Sequence, residues 1–169
     1  MKKYIILVLT VLLIGTLTVS VMGKSNVAHL YLYEKTDDGT MDWPVVEGGA
    51  WGKMKYNTEG EEFEFVFNGH GLEAGEDYTL IYYPDPWPGD GLICLGEGTA
   101  NGGGEVHIAG SCDTGNLPAA GDEAPLGGAK IWLVLSEDID CGVSFKNVWN
   151  LAEYLFEGDV IEFNDTDTP

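Results

Sequence analysis

The chain has 169 residues and a formal net charge of −20 at pH 7, with 28 acidic side chains against 8 basic ones. Every basic residue is a lysine. Nucleic acid needs a basic protein face, so this charge excludes it as a partner and also disfavours an anionic membrane surface.

The first 23 residues predict a signal peptide or an N-terminal membrane anchor. Lys2 and Lys3 precede an almost purely apolar run over residues 4–22, which is typical of a helical segment that engages the export machinery. The run approaches the roughly 20 residues that cross a bilayer, so cleavage after Gly23 and retention as an anchor both stay open. Since the lysines remain cytoplasmic in either case, we expect residues 24–169 to be secreted or displayed on the cell surface. Membrane contact is then confined to an uncleaved N-terminus.

Beyond residue 23, short runs alternate apolar and polar residues and are separated by glycine and proline, which predicts β-strands. In the run at 62–68, for example, Phe63, Phe65 and Phe67 point to one side. The predicted strands are 27–33, 50–57, 62–68, 77–83, 92–100, 105–111, 129–136 and 160–163. With 24 glycines, the pattern favours an all-β antiparallel sandwich of seven or eight strands over residues 24–163. A short helical turn is expected within 147–157, and a disordered acidic tail at 164–169.

Two segments carry a family resemblance. Residues 68–83 read NGHGLEAGEDYTLIYY, and residues 95–118 read LGEGTANGGGEVHIAGSCDTGNLP. They resemble β-sandwich modules of prokaryotic secreted and cell-surface proteins, in which a GL-x-x-G-x-x-Y-T-L strand entry precedes a G-x-A-x-x-x-G-x-V-x-I-x-G-S hairpin. The matching positions are turn glycines, a core tyrosine and alternating strand residues, all of which have structural roles. The resemblance therefore implies an Ig-like sandwich on a surface protein and carries over no catalytic residue.

The three cysteines predict one disulfide, because the chain is expected in an oxidising compartment. If the turn at 101–104 joins a hairpin in which Asn101 pairs with Glu105, Cys94 lies opposite Cys112. Cys141 is the competing partner of Cys94. Closing the longer loop restricts the unfolded chain more, so Cys94–Cys141 is slightly favoured.

The loop over residues 82–91 is the strongest candidate for a recognition site. Its prolines hold it extended and reduce the entropy lost on binding. Its aromatic rings offer apolar faces with polar edges, as sugar or protein contacts require, and its aspartates offer hydrogen bonds or a cation site. The alternative is a stiff connection whose Trp87 folds onto the end of the sandwich. The candidate contact residues are Tyr82, Tyr83, Asp85, Trp87 and Asp90.

Glu137, Asp138 and Asp140 follow a predicted strand, where the end of a sandwich can bind calcium. No D-x-D-x-D-G loop is present, so solvated surface charge is the default. The sequence predicts no cofactor, with calcium as the alternative. Five tryptophans are many for this length, and Trp51 and Trp132 are expected in the core or at its rim.

The sequence contains no G-x-S-x-G turn, which a serine hydrolase would use to hold its nucleophile. With 28 carboxylates, a pair of acidic residues is weak evidence for the acid and base of a glycosidase. A secreted hydrolase is therefore the third choice. The predicted function is a non-catalytic extracellular structural or protein-interaction module. It would meet other surface proteins or copies of itself through unpaired sheet edges. The alternative is a carbohydrate- or calcium-binding module that uses the 82–91 loop.

Overall fold

The structure, a computed structural model, describes residues 25–37, 39, 43–124 and 126–167. The predicted signal or anchor segment, residues 1–23, lies outside the described residues. Within them, no helix combines the length and the apolar composition that a membrane crossing requires.

The described chain is all-β, and its helical structure is limited to two single 3₁₀ turns, Ser136–Asp138 and Leu151–Glu153. The strands in chain order are β1 (Val27–Glu34), β2 (Trp51–Asn57), β3 (Glu59–Gly60), β4 (Phe63–His70), β5 (Asp77–Tyr83), β6 (Ile93–Thr99), β7 (Val106–Cys112), β8 (Lys130–Leu135), β9 (Ile139–Asp140), β10 (Ser144–Phe145), β11 (Leu155–Glu157) and β12 (Asn164–Asp165).

Eight of these strands form one antiparallel sheet in the order β6-β5-β8-β11-β1-β2-β4-β7. The prediction of an all-β antiparallel fold is confirmed. The hydrogen bonding, however, joins the main strands into a single sheet rather than two. This sheet is sandwich-like, because its end strands β6 and β7 lie against each other.

Glycines in β6 allow this contact between the end strands. A Cβ atom added to Gly96 would lie 2.8 Å from Cγ2 of Ile108 on β7, and one added to Gly98 would lie 2.9 Å from Cγ2 of Val106. Bare backbone at these positions leaves room for the β-branched side chains of the opposite strand.

The predicted hairpin between β6 and β7 is correct only at its turn. The amide of Asn101 donates to the carbonyl of Glu105 at 2.9 Å, as expected. Beyond the turn the prediction is wrong, because β6 pairs with β5 and β7 pairs with β4. The two strands then face each other through side chains, so they do not set Cys94 and Cys112 as ladder partners.

The disulfide joins Cys94 to Cys141, with the Cα atoms 5.5 Å apart, and confirms the favoured pairing. It ties β6 to the turn between β9 and β10. Cys112 is a free, half-buried thiol at the end of β7. Burial, with nearby Glu62 and Asp113, raises the pKa of this thiol.

The core lies between the two halves of the sheet. Phe63, Phe65 and Phe67 are buried while Glu64 and Val66 are exposed, so the alternation read from the sequence is confirmed. Leu32 on β1 and Leu133 on β8 are fully buried on the same side of the sheet.

The C-terminal part differs from the predicted pattern. The expected helical turn is the single 3₁₀ turn at Leu151–Glu153, and it is followed at once by β11, which lies between β8 and β1. The predicted strand at 160–163 makes isolated bridges, Ala129 with Ile161 and Leu117 with Phe163. In the expected tail, β12 pairs in parallel with β3, so paired structure extends two residues past the predicted domain end at residue 163.

Candidate functional site: an aromatic cleft

A cleft of about 940 Å³ opens on the face of β5, β8 and β11 that points away from the Leu32 side of the core. Strand alternation places the side chains there: Phe156 and Trp132 neighbour Leu155 and Leu133 in sequence and therefore point to the opposite face. The aromatic side chains of the cleft are Trp43, Tyr83, Trp87, Trp132, Trp149 and Phe156, and its polar ones are Lys35, Asp85, Lys130 and Glu157.

The floor of the cleft is an aromatic stack. The rings of Tyr83 and Trp132 are nearly parallel, with centroids 3.9 Å apart and an interplanar angle of 10°. Phe156 meets Trp132 edge-on at 5.0 Å. All three side chains are buried, so the floor is fixed by its own packing.

The mouth of the cleft carries exposed indole rings. Trp87 is 45% exposed and Trp149 is 38% exposed. Their rings meet at 5.1 Å in a T-shaped arrangement, and Trp43 packs on Trp149 at 5.4 Å. These contacts hold three large apolar surfaces in fixed orientations beside solvent.

A buried carboxyl group lies beside the floor. Glu157 accepts a hydrogen bond through Oε2 from Nε1 of Trp132, and its backbone carbonyl accepts one from Nζ of Lys35 at 2.9 Å. Burial raises the pKa of Glu157 above its ordinary value of 4.5, and the charge of Lys35 opposes this effect. The indole and carboxyl groups therefore orient each other within the cleft wall.

A second polar pair lies at the Tyr83 side. Nζ of Lys130 is 2.5 Å from Oδ2 of Asp85 and 5.7 Å from the centroid of the Tyr83 ring. The backbone amide of Asp85 donates to Oδ1 of Asp122 at 2.9 Å, which fixes the start of the loop. The cleft thus presents paired, opposite charges next to flat apolar surfaces.

Of the five contact residues predicted from the 82–91 loop, three line the cleft and two do not. Tyr83, Asp85 and Trp87 line the cleft. Tyr82 is buried on the other face, where its hydroxyl donates to Oδ2 of Asp122 at 2.5 Å and accepts from the amide of Ala119 at 3.0 Å. Asp90 is exposed and is not part of the cleft lining.

Sequence reasoning missed the rest of the cleft. Trp43, Trp149 and Phe156 were not candidates, and Trp132, which is in the core as expected, was not linked to a site. The one feature of the sequence that could have pointed to these residues is its high number of tryptophans. Trp51, which was expected in the core or at its rim, is 40% exposed on the sheet.

The three carboxylates predicted to bind calcium have different surroundings. Asp138 is buried, and its Oδ2 accepts hydrogen bonds from the hydroxyl of Tyr154 at 2.6 Å and from Nδ2 of Asn150 at 2.7 Å. Oδ1 of Asp140 lies 3.2 Å from Nζ of Lys146. The described residues contain no group of three or more acidic, histidine or cysteine side chains placed to hold a metal. The calcium site at Glu137, Asp138 and Asp140 stays a prediction.

Comparison of the chain with protein-family models, with curated proteins and with solved structures gives no match.

Proposed function

We propose that this protein is a non-catalytic extracellular carbohydrate-binding module that holds sugar rings in the aromatic cleft. The observation that carries the proposal is the joint placement of exposed indole faces, Trp87 and Trp149, with fixed polar groups on one cleft wall. A sugar ring has apolar C–H faces and hydroxyl edges. It is therefore matched by a site that combines flat aromatic surfaces with a few oriented donors and acceptors.

The charges of the cleft support a ligand that both donates and accepts hydrogen bonds. Asp85 is an acceptor, Lys130 is a donor, and the two already form a close ion pair. A hydroxyl group can bind to either member without leaving an unpaired charge behind. Both side chains are largely buried, so the pair is held in place and presents only its exposed edges to a ligand.

Preorganisation also favours binding. The rings at the mouth contact one another and the buried floor, so little side-chain freedom remains to be lost when a ligand binds. The amide contact of Asp85 with Asp122 restrains the loop that carries Trp87.

The test is a glycan-array screen of the purified protein, followed by calorimetry with the best binder and with single-site variants. We expect Trp87→Ala and Trp149→Ala each to weaken binding by about tenfold or more, as for central aromatic contacts. The matched control is Val143→Ala, since Val143 is 59% exposed and lies outside the cleft lining. Unchanged affinity in both tryptophan variants, with circular dichroism like that of the parent protein, would refute the proposal.

Self-association is a second candidate function, supported by the end strands of the sheet. Within the described chain, β6 and β7 each pair with only one neighbouring strand of the sheet, which leaves a backbone edge for strand addition. Light scattering over a range of concentrations tests it, and a strict monomer at the highest concentration counts against it. Export and the Ig-like class stay predictions from the sequence.

A further inference from the structure

The aromatic surface does not end at the cleft. Phe156, at the floor, is the direct Cα partner of Tyr33 on β1, and Tyr33 is the partner of Trp51 on β2. Trp51 is in turn the partner of His70 on β4. Residues directly opposite in antiparallel strands point to the same face, so these side chains form one row across four neighbouring strands.

Outside the cleft this row is open to solvent. Trp51 is 40% exposed, and Tyr31, two residues before Tyr33 on the same face, is 41% exposed. The ring planes of Tyr31 and Tyr33 differ by 13°, and those of Tyr31 and Trp51 by 28°, with centroids 6.3 and 6.4 Å apart. We call Tyr31, Tyr33 and Trp51 the outer strip. Its rings form a nearly flat apolar surface.

Polar groups border the outer strip. Nζ of Lys53 lies 5.3 Å from the centroid of the Tyr31 ring. At the end of the row, Nδ1 of His70 lies 3.6 Å from Oε1 of Glu105. Like the cleft, the outer strip combines aromatic surfaces with donors and acceptors at their edges.

The lysines are concentrated on this same face. In the described part of the chain, Lys146 pairs with Asp140, and the remaining lysines belong to the cleft or to β2. Lys53 and Lys55 are two residues apart on β2 and share the face of Trp51. In a protein with a net charge of −20, these lysines give this face hydrogen-bond donors beside its aromatic rings.

We propose that the cleft is one end of a longer binding face, and that the ligand is an extended polysaccharide whose further units lie on the outer strip. This inference rests on the proposed function, because it assigns a polymer to the same site. The register that pairs Phe156 with Tyr33 and Tyr33 with Trp51 places the outer strip beside the cleft on the same face of the sheet. A disaccharide would occupy the cleft alone, whereas a polymer would contact both regions.

The experiment compares disaccharides with their parent polymers by calorimetry and affinity electrophoresis: cellobiose with hydroxyethylcellulose, xylobiose with xylan, maltose with pullulan, and diacetylchitobiose with glycol chitin. We expect Trp51→Ala to weaken polymer binding by about two- to tenfold and to leave disaccharide binding unchanged, which matches the contribution of one aromatic contact. Trp149→Ala should weaken both, and Val143→Ala neither. Because Trp51 is exposed, its replacement leaves the core intact, and circular dichroism checks this.

The outcomes separate the two proposals. If Trp51→Ala binds the polymer like the parent protein while Trp149→Ala does not, the longer face is refuted and the cleft stands. If the parent protein binds no member of the panel, both the carbohydrate-binding proposal and the longer binding face are refuted. A parent dimer that Trp51→Ala dissociates, seen by light scattering, would assign the outer strip to a second copy of the chain and overturn the polysaccharide inference.

Discussion

Tyr83 and Trp132 stack face to face across β5 and β8, with ring centroids 3.9 Å apart. Neither residue is the direct ladder partner of the other: Tyr83 pairs with Lys130, and Trp132 pairs with Ile81. The stack is therefore a diagonal contact, and large rings can span that distance between strands. It connects the proline-rich loop that follows β5 to the centre of the sheet.

Replacing Trp132 should destabilise the fold in two separable ways. Trp132→Ala removes the stack and leaves a cavity, so we expect a loss of about 3–5 kcal/mol in the free energy of unfolding. Trp132→Phe keeps a ring but removes the Nε1–H that bonds to Glu157, and should cost about 1–3 kcal/mol. Urea unfolding measures both values. A Trp132→Phe variant as stable as the parent would show that the indole hydrogen bond contributes nothing.

The burial of Glu157 predicts a specific dependence of stability on pH. Because burial raises the pKa of Glu157, the folded protein binds this proton more tightly than the unfolded chain does. The stabilisation is fully present below the ordinary pKa of 4.5 and is lost as the pH rises through the raised value. Glu157→Gln keeps an acceptor for Trp132 without the charge, so the variant should gain stability relative to the parent as the pH rises from 4.5 towards neutrality.

Thermal unfolding at a series of pH values measures this difference. Glu64→Gln, at an exposed position on β4, is the control for the loss of one carboxylate. A constant difference in melting temperature between Glu157→Gln and the parent over the whole range would contradict the prediction.

The disulfide should provide a large part of the stability. Cys94 and Cys141 are 47 residues apart in sequence, and closing a loop of that length corresponds to roughly 4 kcal/mol in the chain-entropy model. We expect Cys94→Ala to lower the free energy of unfolding by about 2–4 kcal/mol in urea. Cys112→Ser should leave the bridge intact, and non-reducing peptide mapping of that variant checks the pairing. Equal losses in the two variants would argue against the bridge as the stabilising element.

The contact between β6 and β7 can be tested with one added methyl group. A Cβ at Gly96 would lie 2.8 Å from Ile108 and 3.2 Å from Cζ of Phe65, so Gly96→Ala should cost about 1–3 kcal/mol through overpacking. Gly102 has no atom within 4 Å of an added Cβ, which makes Gly102→Ala the matched control. If chemical denaturation shows the two variants to be equally stable, the end strands do not meet as described.

Local pattern predicted the long strands well. β2 and β4 alternate between a more buried and a more exposed face, and β5 and β8, which are buried on both faces, are largely apolar runs of seven and six residues. The boundaries of β1, β2, β4 and β5 fall within two residues of the predicted ones. β11 escaped prediction because it has only three residues, Leu155, Phe156 and Glu157, too few to show a strand period. Similarly, the β6–β7 turn was recognisable from its glycines, but the pairing of the strands beyond it depends on packing with β4 and β5.

The candidate site could be predicted only where it is local in sequence. Tyr83, Asp85 and Trp87 lie within one proline-rich loop, so composition alone singled them out. Phe156 and Glu157 reach the same cleft because β11 lies beside β8, and this strand order is set by contacts between distant segments. Tyr82 lies outside the cleft because strand alternation turns it to the face opposite Tyr83.

The position of β11 also sets when, during synthesis, the sheet can be completed. β11 lies between β8 and β1, although it follows both by many residues in the chain. A nascent chain that still lacks residues 155–157 has two open strand edges in the middle of its sheet and no Phe156 to join the two aromatic regions. Such an intermediate is prone to pairing with other chains. The aromatic cleft is therefore completed in a single late step, when the small central strand is inserted.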